Sequence, residues 1–224
     1  MQNQITINSL FDLTKTQAKE YLEQFTYPWQ ALVGLKHFIE QFAQTLPKNE
    51  YAEIAPKVWA HNTAKIARTA EINGPCIIGA DTEIRHCAFI RGSAFIGKKC
   101  VVGNSTEIKN AILFDGVQVP HYNYVGDSIL GFNAHMGAGS ITSNVKSDKK
   151  NVVIKLGENS IETGLKKVGA FLGDGVEIGC NSVLNPGTIV GKNASVYPLS
   201  CVRGVVKENS IYKNKNEVVE KING

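Results

Sequence analysis

Several side chains between residues 91 and 150 are of types that can do chemistry. His121 carries an imidazole, a group that exchanges a proton readily near neutral pH and can act as a general base. Arg91, Lys109 and Lys150 are cations that can pair with an anionic ligand. Each of the four also has an ordinary interpretation as a solvated surface group, so the elements that position them matter.

These elements follow a period of six. From Ile66 an aliphatic residue returns at every sixth position, and a small residue stands two positions before each one. The aliphatic positions of this run and of a second block are Ile66, Ile72, Ile78, Ile84, Ile90, Ile96, Val102, Ile108, Leu172, Ile178, Leu184, Val190, Val196 and Val202. A six-residue step scatters side chains around an α-helix but keeps them on one side of an extended chain. The pattern therefore predicts short strands joined by bends.

Residues 51–206 are predicted to form a parallel β-helix. Three six-residue units close a triangular coil of about 18 residues, and successive coils stack about 4.8 Å apart through parallel hydrogen bonds. Lys109 directly follows a core aliphatic, so its side chain is expected to point outward. The stretches 114–123 and 145–167 interrupt the period, and we expect both to project from the prism as loops.

The ends of the chain have a different pattern. Residues 1–50 are predicted to form a helical appendage with two amphipathic helices, over 12–25 and 29–46, because Pro28 ends the first of them. Helices of this kind often cover the open end of a solenoid, and we expect that role here. Residues 207–224 remain as a C-terminal tail.

Composition narrows the class of protein. The 224-residue chain has a net charge of +4, only four arginines and no run of about 18 apolar residues, which disfavours nucleic-acid and membrane partners. The N-terminus does not read as a secretory signal, so a cytoplasmic protein is predicted. Five cysteines without a CxxC pair predict neither disulfides nor a metal site. A cysteine nucleophile is disfavoured because no histidine follows His135.

Residues 107–145 carry a longer motif, which reads EIKNAILFDGVQVPHYNYVGDSILGFNAHMGAGSITSNV. With the period of six, it resembles the hexapeptide-repeat acyltransferase superfamily. Within that superfamily it is similar to the C-terminal acetyltransferase domain of the bacterial bifunctional N-acetylglucosamine-1-phosphate uridyltransferase. The resemblance is good from about 91 to 150, weaker over 168–206, and does not cover 1–50. It implies a mainly β fold, a left-handed parallel β-helix, and a homotrimer. The uridyltransferase domain has no counterpart here.

The resemblance also implies an activity and its residues. Acetyl-CoA would be the cosubstrate, and glucosamine 1-phosphate or a related phosphorylated amino sugar would be the acceptor. His121 matches the general base that takes a proton from the sugar amine, which then attacks the thioester without a covalent enzyme intermediate. The positions that match acceptor-binding residues are Arg91, Lys109, Tyr124, His135, Asn144 and Lys150. Those that match residues near coenzyme A are Ala138, Cys180 and Arg203.

Some positions depart from the family pattern and keep alternatives open. His135 replaces an asparagine, Val145 replaces a tyrosine, and the insertion over 156–167 has no family counterpart. The identity of the acceptor is therefore open, and a noncatalytic sugar-phosphate-binding scaffold or sensor with the same fold is the alternative. The carbonic anhydrase branch of the fold needs three histidines around zinc, and the five histidines of this chain show no such close pairing.

Overall fold

A computed structural model describes residues 2–214 and 217–221 of the chain. Most of these residues form short parallel strands that wind around a triangular prism, so the predicted mainly β fold with a parallel β-helix is confirmed. We number the three faces of the prism in the order in which each coil visits them. The first face contains Val58–His61, Cys76–Ile78, Ala94–Ile96, the ends of Glu107–Leu113 and Tyr124–Leu130, Ala170–Leu172, Thr188–Val190 and Val205–Val206.

The other two faces run parallel to the first. The second face contains Lys65–Ile66, Glu83–Ile84, Val101–Asn104, Gln118–His121, His135–Met136, Glu177–Ile178, Ser195–Val196 and Ser210–Asn214. The third face contains Glu71–Ile72, Phe89–Ile90, the beginnings of Glu107–Leu113 and Tyr124–Leu130, Ile141–Thr142, Val183–Leu184 and Cys201–Val202. Each face therefore gains one strand per coil, in register with the strand before it.

The core of the prism is built by the periodic aliphatic residues. From the second coil on, those of the predicted run are buried, as Val102, Ile108 and Leu184 illustrate with no exposed surface. Ile66 and Ile72 in the first coil are only partly buried because no coil precedes them. Burial of this apolar surface, at roughly 25 cal/mol per Å², is the main stabilising term of the prism.

The prediction that 114–123 projects as a loop is wrong. Gln118–His121 forms a strand of the second face, and Val117 and Val119 are buried. The period is not lost here but shortened by one residue in each of two coils, because Leu113 follows Ile108, and Leu130 follows Val125, after five residues instead of six. Two successive coils are each one residue shorter than their neighbours for this reason, and a search for a strict period of six passes over them.

The first face differs from the others in its outward side chains. The middle residue of each strand points away from the prism core, and on this face it is apolar at every level. These outward residues are Trp59, Ile77, Phe95, Ile112, Ile129, Phe171, Ile189 and Val205. All except Trp59 and Val205, at the two ends of the face, are fully buried, so something must cover them. The corresponding residues of the second face are mostly polar, for example Lys65, Glu83 and Gln118.

The N-terminal segment supplies this cover. Its helices are α1 (Ile7–Leu10), α2 (Lys19–Leu22) and α3 (Pro28–Phe42), with 3-10 turns at Gln2–Ile5, Leu13–Lys15 and Ala43–Thr45. The second predicted helix is confirmed by α3, but the first, over 12–25, is wrong. The Asp12 carboxylate accepts the N–H of Thr14, and the Thr16 hydroxyl accepts the N–H of Ala18. Such side-chain bonds to nearby backbone compete with a continuous helix.

The position of α3 also differs from the prediction of an end cap. The helix lies along the side of the prism, over Ala94–Ile96, Glu107–Leu113 and Tyr124–Leu130. Phe38 and Phe42 contact the ring of Phe95 at centroid distances of 5.6 and 5.5 Å. Trp29 reaches Phe171 at 6.2 Å. The apolar outward residues of the first face offer an amphipathic helix more apolar surface to bury than the small end of the prism does.

The interruption over 145–167 does leave the prism, as predicted. It contains an antiparallel hairpin of Val153–Leu156 and Asn159–Glu162. The hairpin folds back onto its own chain, since Val152, Ile154 and Leu156 are buried. A Cβ added to Gly187 would lie 2.8 Å from Val152 and 2.9 Å from Ile154, so the glycine allows this close approach.

The described part of the predicted tail continues the prism. Ser210–Asn214 adds a strand to the second face, and Glu217–Glu220 pairs with it in antiparallel orientation. Residues 215–216 and 222–224, which the prediction included, lie outside the described residues. Within the described residues, no helix combines the length and the hydrophobicity that crossing a membrane requires.

We expect Phe95→Ala to lower the free energy of unfolding by about 3–5 kcal/mol, because it empties the contact between α3 and the first face. Phe89→Ala is the matched control, since Phe89 occupies the outward position of a third-face strand and is 37% exposed. Its effect should stay within about 1 kcal/mol. Urea denaturation followed by circular dichroism measures both, and equal losses would contradict the assignment of α3 as the cover of this face.

Candidate active site

A cluster of polar side chains lies at the corner between the third and first faces. It consists of Lys109, Asn110, Tyr124, Asp127 and Asn144, and we call it the Asp127 cluster. Asn110, Asp127 and Asn144 occupy the same position in three successive coils. They therefore stack directly above one another. Asn110 and Asp127 have positive φ of 48° and 49°, a conformation that Asn and Asp tolerate better than most residues.

Asp127 is the centre of this cluster. Lys109 Nζ donates to both of its carboxylate oxygens at 3.2 Å, and Asn110 Nδ2 donates to Oδ1 at 2.8 Å. Asn144 Nδ2 donates to Oδ2 from the next coil. The Asp127 side chain is only 4% exposed, whereas that of Lys109 is 26% exposed. A buried carboxylate is stable only when such donors compensate for lost water, and here they do.

Tyr124 joins the cluster from the middle of the third face. Its hydroxyl accepts a hydrogen bond from Asn144 Nδ2 at 3.1 Å. Burial raises the pKa of Tyr124 above its usual value of 10, and the negative charges of Asp127 and Glu107 raise this pKa further. The ring lies over Gly126, where an added Cβ would overlap the Tyr124 hydroxyl. Because Gly126 has no side chain, the Tyr124 phenol can occupy this position.

Arg91 lies one coil before Lys109 in the same column, since its N–H donates to the carbonyl of Ile108 at 2.8 Å. Its guanidinium pairs with Glu107 at 2.7 Å, and this carboxylate raises the pKa of Arg91. The pair is more exposed than Lys109–Asp127, with 46% of the Arg91 side chain in solvent. Both cations of this corner therefore already have an acidic partner in the chain.

His121 lies at the opposite edge of the third face, at its corner with the second face. Its backbone is held firmly, because its N–H donates to Asn123 Oδ1 at 3.1 Å and its carbonyl accepts the N–H of Gly139 at 3.0 Å. Asn123 itself is buried and donates to Gly137 and Ser140. The imidazole of His121 is exposed. Among the described residues it has no hydrogen-bond partner, so it is accessible to a ligand.

The two backbone positions predicted near coenzyme A lie in the same column as His121. The N–H of Asn181 donates to the carbonyl of Ala138 at 2.8 Å, and that of Leu199 donates to the carbonyl of Cys180 at 2.9 Å. His121, Ala138 and Cys180 therefore follow one another along one corner of the prism, one coil apart. The Cys180 side chain is exposed.

This corner leads to an open cavity of about 420 Å³ at the C-terminal end of the prism. Arg203 lines it together with Leu199, Cys201, Tyr212 and Lys213. Lys213 is paired with Glu217 at 2.6 Å, whereas Arg203 forms no ion pair among the described residues. The predicted cofactor residues thus lie along one corner and its continuation into this cavity.

Two predicted acceptor residues are not brought to the Asp127 cluster. His135 points outward from the second face, where its Nδ1 lies 2.7 Å from the carboxylate of Glu177. Lys150 is exposed in the loop before the hairpin, and its backbone N–H donates to Asp148 at 3.0 Å. In the described chain neither side chain contacts Lys109, Tyr124 or Asn144.

The sequence analysis missed Asp127, Asn110 and Glu107. A signal was present, because Asp127 lies one coil after Lys109 and Asn110 and one coil before Asn144. Recognising this spacing requires knowing where the coil becomes shorter. No group of three or more potential metal ligands is found in the described residues.

We expect Gly126→Ala to push the Tyr124 ring toward solvent and so to lower the pKa of its phenol toward the usual value of 10. The reason is that the raised pKa depends chiefly on burial of the ring. Titration of the tyrosine resonances by NMR measures the shift, and Tyr124→Phe identifies the resonance that disappears. An unchanged Tyr124 titration in Gly126→Ala would contradict the described packing.

The family described as "GMPPB C-terminal domain" matches residues 72–216. The bifunctional protein GlmU of Methanococcus maripaludis is 31% identical in an alignment 225 positions long, gaps included, that covers 92% of this chain and 50% of that protein. A bifunctional sugar-1-phosphate nucleotidylyltransferase/acetyltransferase of Sulfurisphaera tokodaii is 31% identical in an alignment of 174 positions that covers 70% of this chain and 43% of that protein. The chain spans about half the length of these curated relatives.

Among solved structures, the acetyltransferase domain of PglB from Neisseria gonorrhoeae in complex with acetyl coenzyme A is similar, with a TM-score of 0.39 and 14% identity. The match covers 83% of this chain and 66% of that chain. The curated relatives and the family match confirm the resemblance found in the sequence. The match to the family covers more than half of the chain. The chain therefore belongs to the GMPPB C-terminal domain family.

Proposed function

We propose that this chain is an acetyl-CoA-dependent N-acetyltransferase whose acceptor is glucosamine 1-phosphate or a related phosphorylated amino sugar. The observation that carries the proposal is the arrangement of the third face. Its edge toward the first face holds Lys109, Asn144 and Arg91, and its edge toward the second face holds His121, with Tyr124 between them. The printed name of the Sulfurisphaera tokodaii relative, which joins a sugar 1-phosphate to acetyl transfer, supports the same class of reaction.

In the proposed reaction the amine of the sugar attacks the carbonyl carbon of the acetyl thioester. His121 removes a proton from the bound ammonium group before the N–C bond forms, because an ammonium group has no lone pair with which to attack. Backbone N–H groups stabilise the oxyanion, after which the C–S bond breaks. The thiolate of coenzyme A leaves and takes up the second proton, which the nitrogen loses as the amide forms. No residue of this chain becomes acylated.

The roles proposed for the cations follow from their chemistry. Arg91 presents a planar set of donors and Lys109 a compact ammonium, and both suit phosphate oxygens. Each retains N–H groups beyond those that its carboxylate partner uses. Arg203, in the cavity at the end of the prism, is proposed to contact the phosphates of coenzyme A.

We expect His121→Ala to lower kcat for release of coenzyme A from acetyl-CoA and glucosamine 1-phosphate by about 10²–10⁴-fold, the usual contribution of a general base. His86→Ala is the matched control. His86 is an exposed histidine at the same corner two coils earlier, since Asn104 aligns with His121 and the N–H of Ser105 donates to the carbonyl of His86 at 3.3 Å. The control should retain wild-type turnover.

The same assay separates this proposal from its alternative. Turnover on an amino-sugar phosphate that collapses in His121→Ala supports both the reaction and the base. If the wild-type chain binds the sugar phosphate but releases no coenzyme A with any amino sugar, the noncatalytic scaffold is the better description.

We also propose that the chain forms a homotrimer. Large apolar side chains are exposed at the corner between the second and third faces, where Tyr122 is 64% and Leu199 is 80% exposed. Both residues have positive φ, of 52° and 59°, which is unusual for bulky side chains. A surface of this kind indicates a contact with another chain. A second copy along this corner would lie beside the column of His121, Ala138 and Cys180.

We expect Leu199→Glu to convert the trimer to monomers, because a carboxylate would be buried without a partner at the interface. Val33→Glu is the control, since Val33 is 72% exposed on α3, over the first face, and its replacement should leave the trimer intact. Sedimentation equilibrium distinguishes the species. A monomeric wild-type chain at micromolar concentration would refute the proposed assembly.

A further inference from the structure

We propose that Asp127 is a positioning residue of the acceptor site, whose buried carboxylate holds Lys109 in the orientation that receives the acceptor phosphate. The inference rests on the proposed function, which supplies the acceptor. Asp127 is not among the residues that the resemblance assigns to acceptor binding.

The Asp127 carboxylate is tied to both neighbouring coils. Lys109 and Asn110 donate to it from the coil before, and Asn144 donates from the coil after. Its two oxygens together accept from three different side chains. One carboxylate thus fixes the position of two residues that are proposed to contact the acceptor, although it is itself almost inaccessible at 4% exposure.

The Lys109 ammonium is well placed to contact two anions. It has three N–H donors, and its side chain keeps 26% of its surface exposed while the carboxylate below it is buried. The Asp127 carboxylate can therefore hold the ammonium from the inner side, while a phosphate oxygen approaches from the outer side. Fixing the flexible lysine stem in advance reduces the rotamer entropy that is lost when the phosphate binds.

The second acid of this corner is not equivalent. Glu107 pairs with Arg91 on the outer surface, where 33% of the Glu107 side chain and 46% of the Arg91 side chain are exposed. An exposed pair exchanges easily with solvent and contributes little fixed geometry. The buried carboxylate of Asp127 therefore determines the geometry of the corner.

The backbone of Asp127 supports the same arrangement. Its carbonyl accepts the N–H of Gly169 at 2.8 Å, and the carbonyl of Asn144 accepts the N–H of Val168 at 3.0 Å. Both ends of the 145–167 insertion are thereby attached to residues of the Asp127 cluster. The insertion cannot move at its base without displacing Asn144 or Asp127, which keeps the base of the site rigid.

The test is Asp127→Asn, which preserves the shape of the side chain and removes its charge. Its amide NH₂ would replace one of the two carboxylate oxygens and would face Lys109 and one of the two asparagine donors, so Lys109 would lose its ion pair. We expect the KM for glucosamine 1-phosphate to rise at least tenfold, with the KM for acetyl-CoA unchanged within twofold. Isothermal titration should show the same tenfold loss for glucosamine 1-phosphate and no loss for glucosamine, which lacks the phosphate.

Asp174→Asn is the matched control. Asp174 pairs with Lys192 at 3.2 Å, its side chain is 13% exposed and that of Lys192 is 28% exposed, but the pair lies at the corner between the first and second faces. The Asp174→Asn variant should lose about as much stability in thermal unfolding as Asp127→Asn and should keep the wild-type KM for the acceptor. Equal weakening of both ligands in Asp127→Asn, or the same KM increase in Asp174→Asn, would mean a structural role only and overturn the proposal.

A second comparison, between two other variants, covers the case in which Asp127→Asn does not fold. Lys109→Met together with Asp127→Asn removes both charges and leaves no unpaired ion. Phosphate affinity in Lys109→Met and in the double variant should agree within twofold, because Asp127 acts through Lys109; a further loss in the double variant overturns the proposal. If the wild type binds glucosamine 1-phosphate in a manner that depends on Asp127 but shows no turnover, the proposed activity is refuted and this inference is retained. Absence of binding in the wild type would refute the inference.

Discussion

Parallel hydrogen bonding between successive coils fixes where every outward side chain lies. Each residue meets its counterpart on the next coil, and the inward aliphatic positions keep this register. Outward residues that are one coil apart in the sequence therefore form columns on the surface of the prism. Asn110, Asp127 and Asn144 become one column, and His121, Ala138 and Cys180 become another. The arrangement of the site follows from this register.

Much of the fold could be predicted because the core is periodic. A strict period of six identifies most inward residues. The shortened coils around Leu113 and Leu130 shift the same pattern by one residue, so a strict search does not find it there. The position of α3 was not predicted, although its signal is in the sequence as the apolar outward residues of the first face, such as Phe95 and Ile129. These residues recur only at every third strand, so they are recognised only after the faces have been assigned.

The candidate site was predicted in part. Matching a motif by position gives residue types, and the structure brings three of the matched residues, Lys109, Tyr124 and Asn144, into one cluster. It does not say which face a residue occupies, and His135 therefore was grouped with side chains that lie on another face. Asp127 was missed because its place in the cluster depends on its burial and on hydrogen-bond donors from two other coils. Neither property can be read from a linear motif.

The 145–167 insertion enters the prism at one corner and leaves the stacking undisturbed. Ile141–Thr142 pairs directly with Val183–Leu184, although the chain between them is more than twice the usual coil length. A corner of this fold can thus be lengthened without any change in the inward residues. A change in the length of the loop beside Asn144 is therefore expected to leave the register of all later coils intact, because Val183–Leu184 pairs with Ile141–Thr142 and not with the insertion.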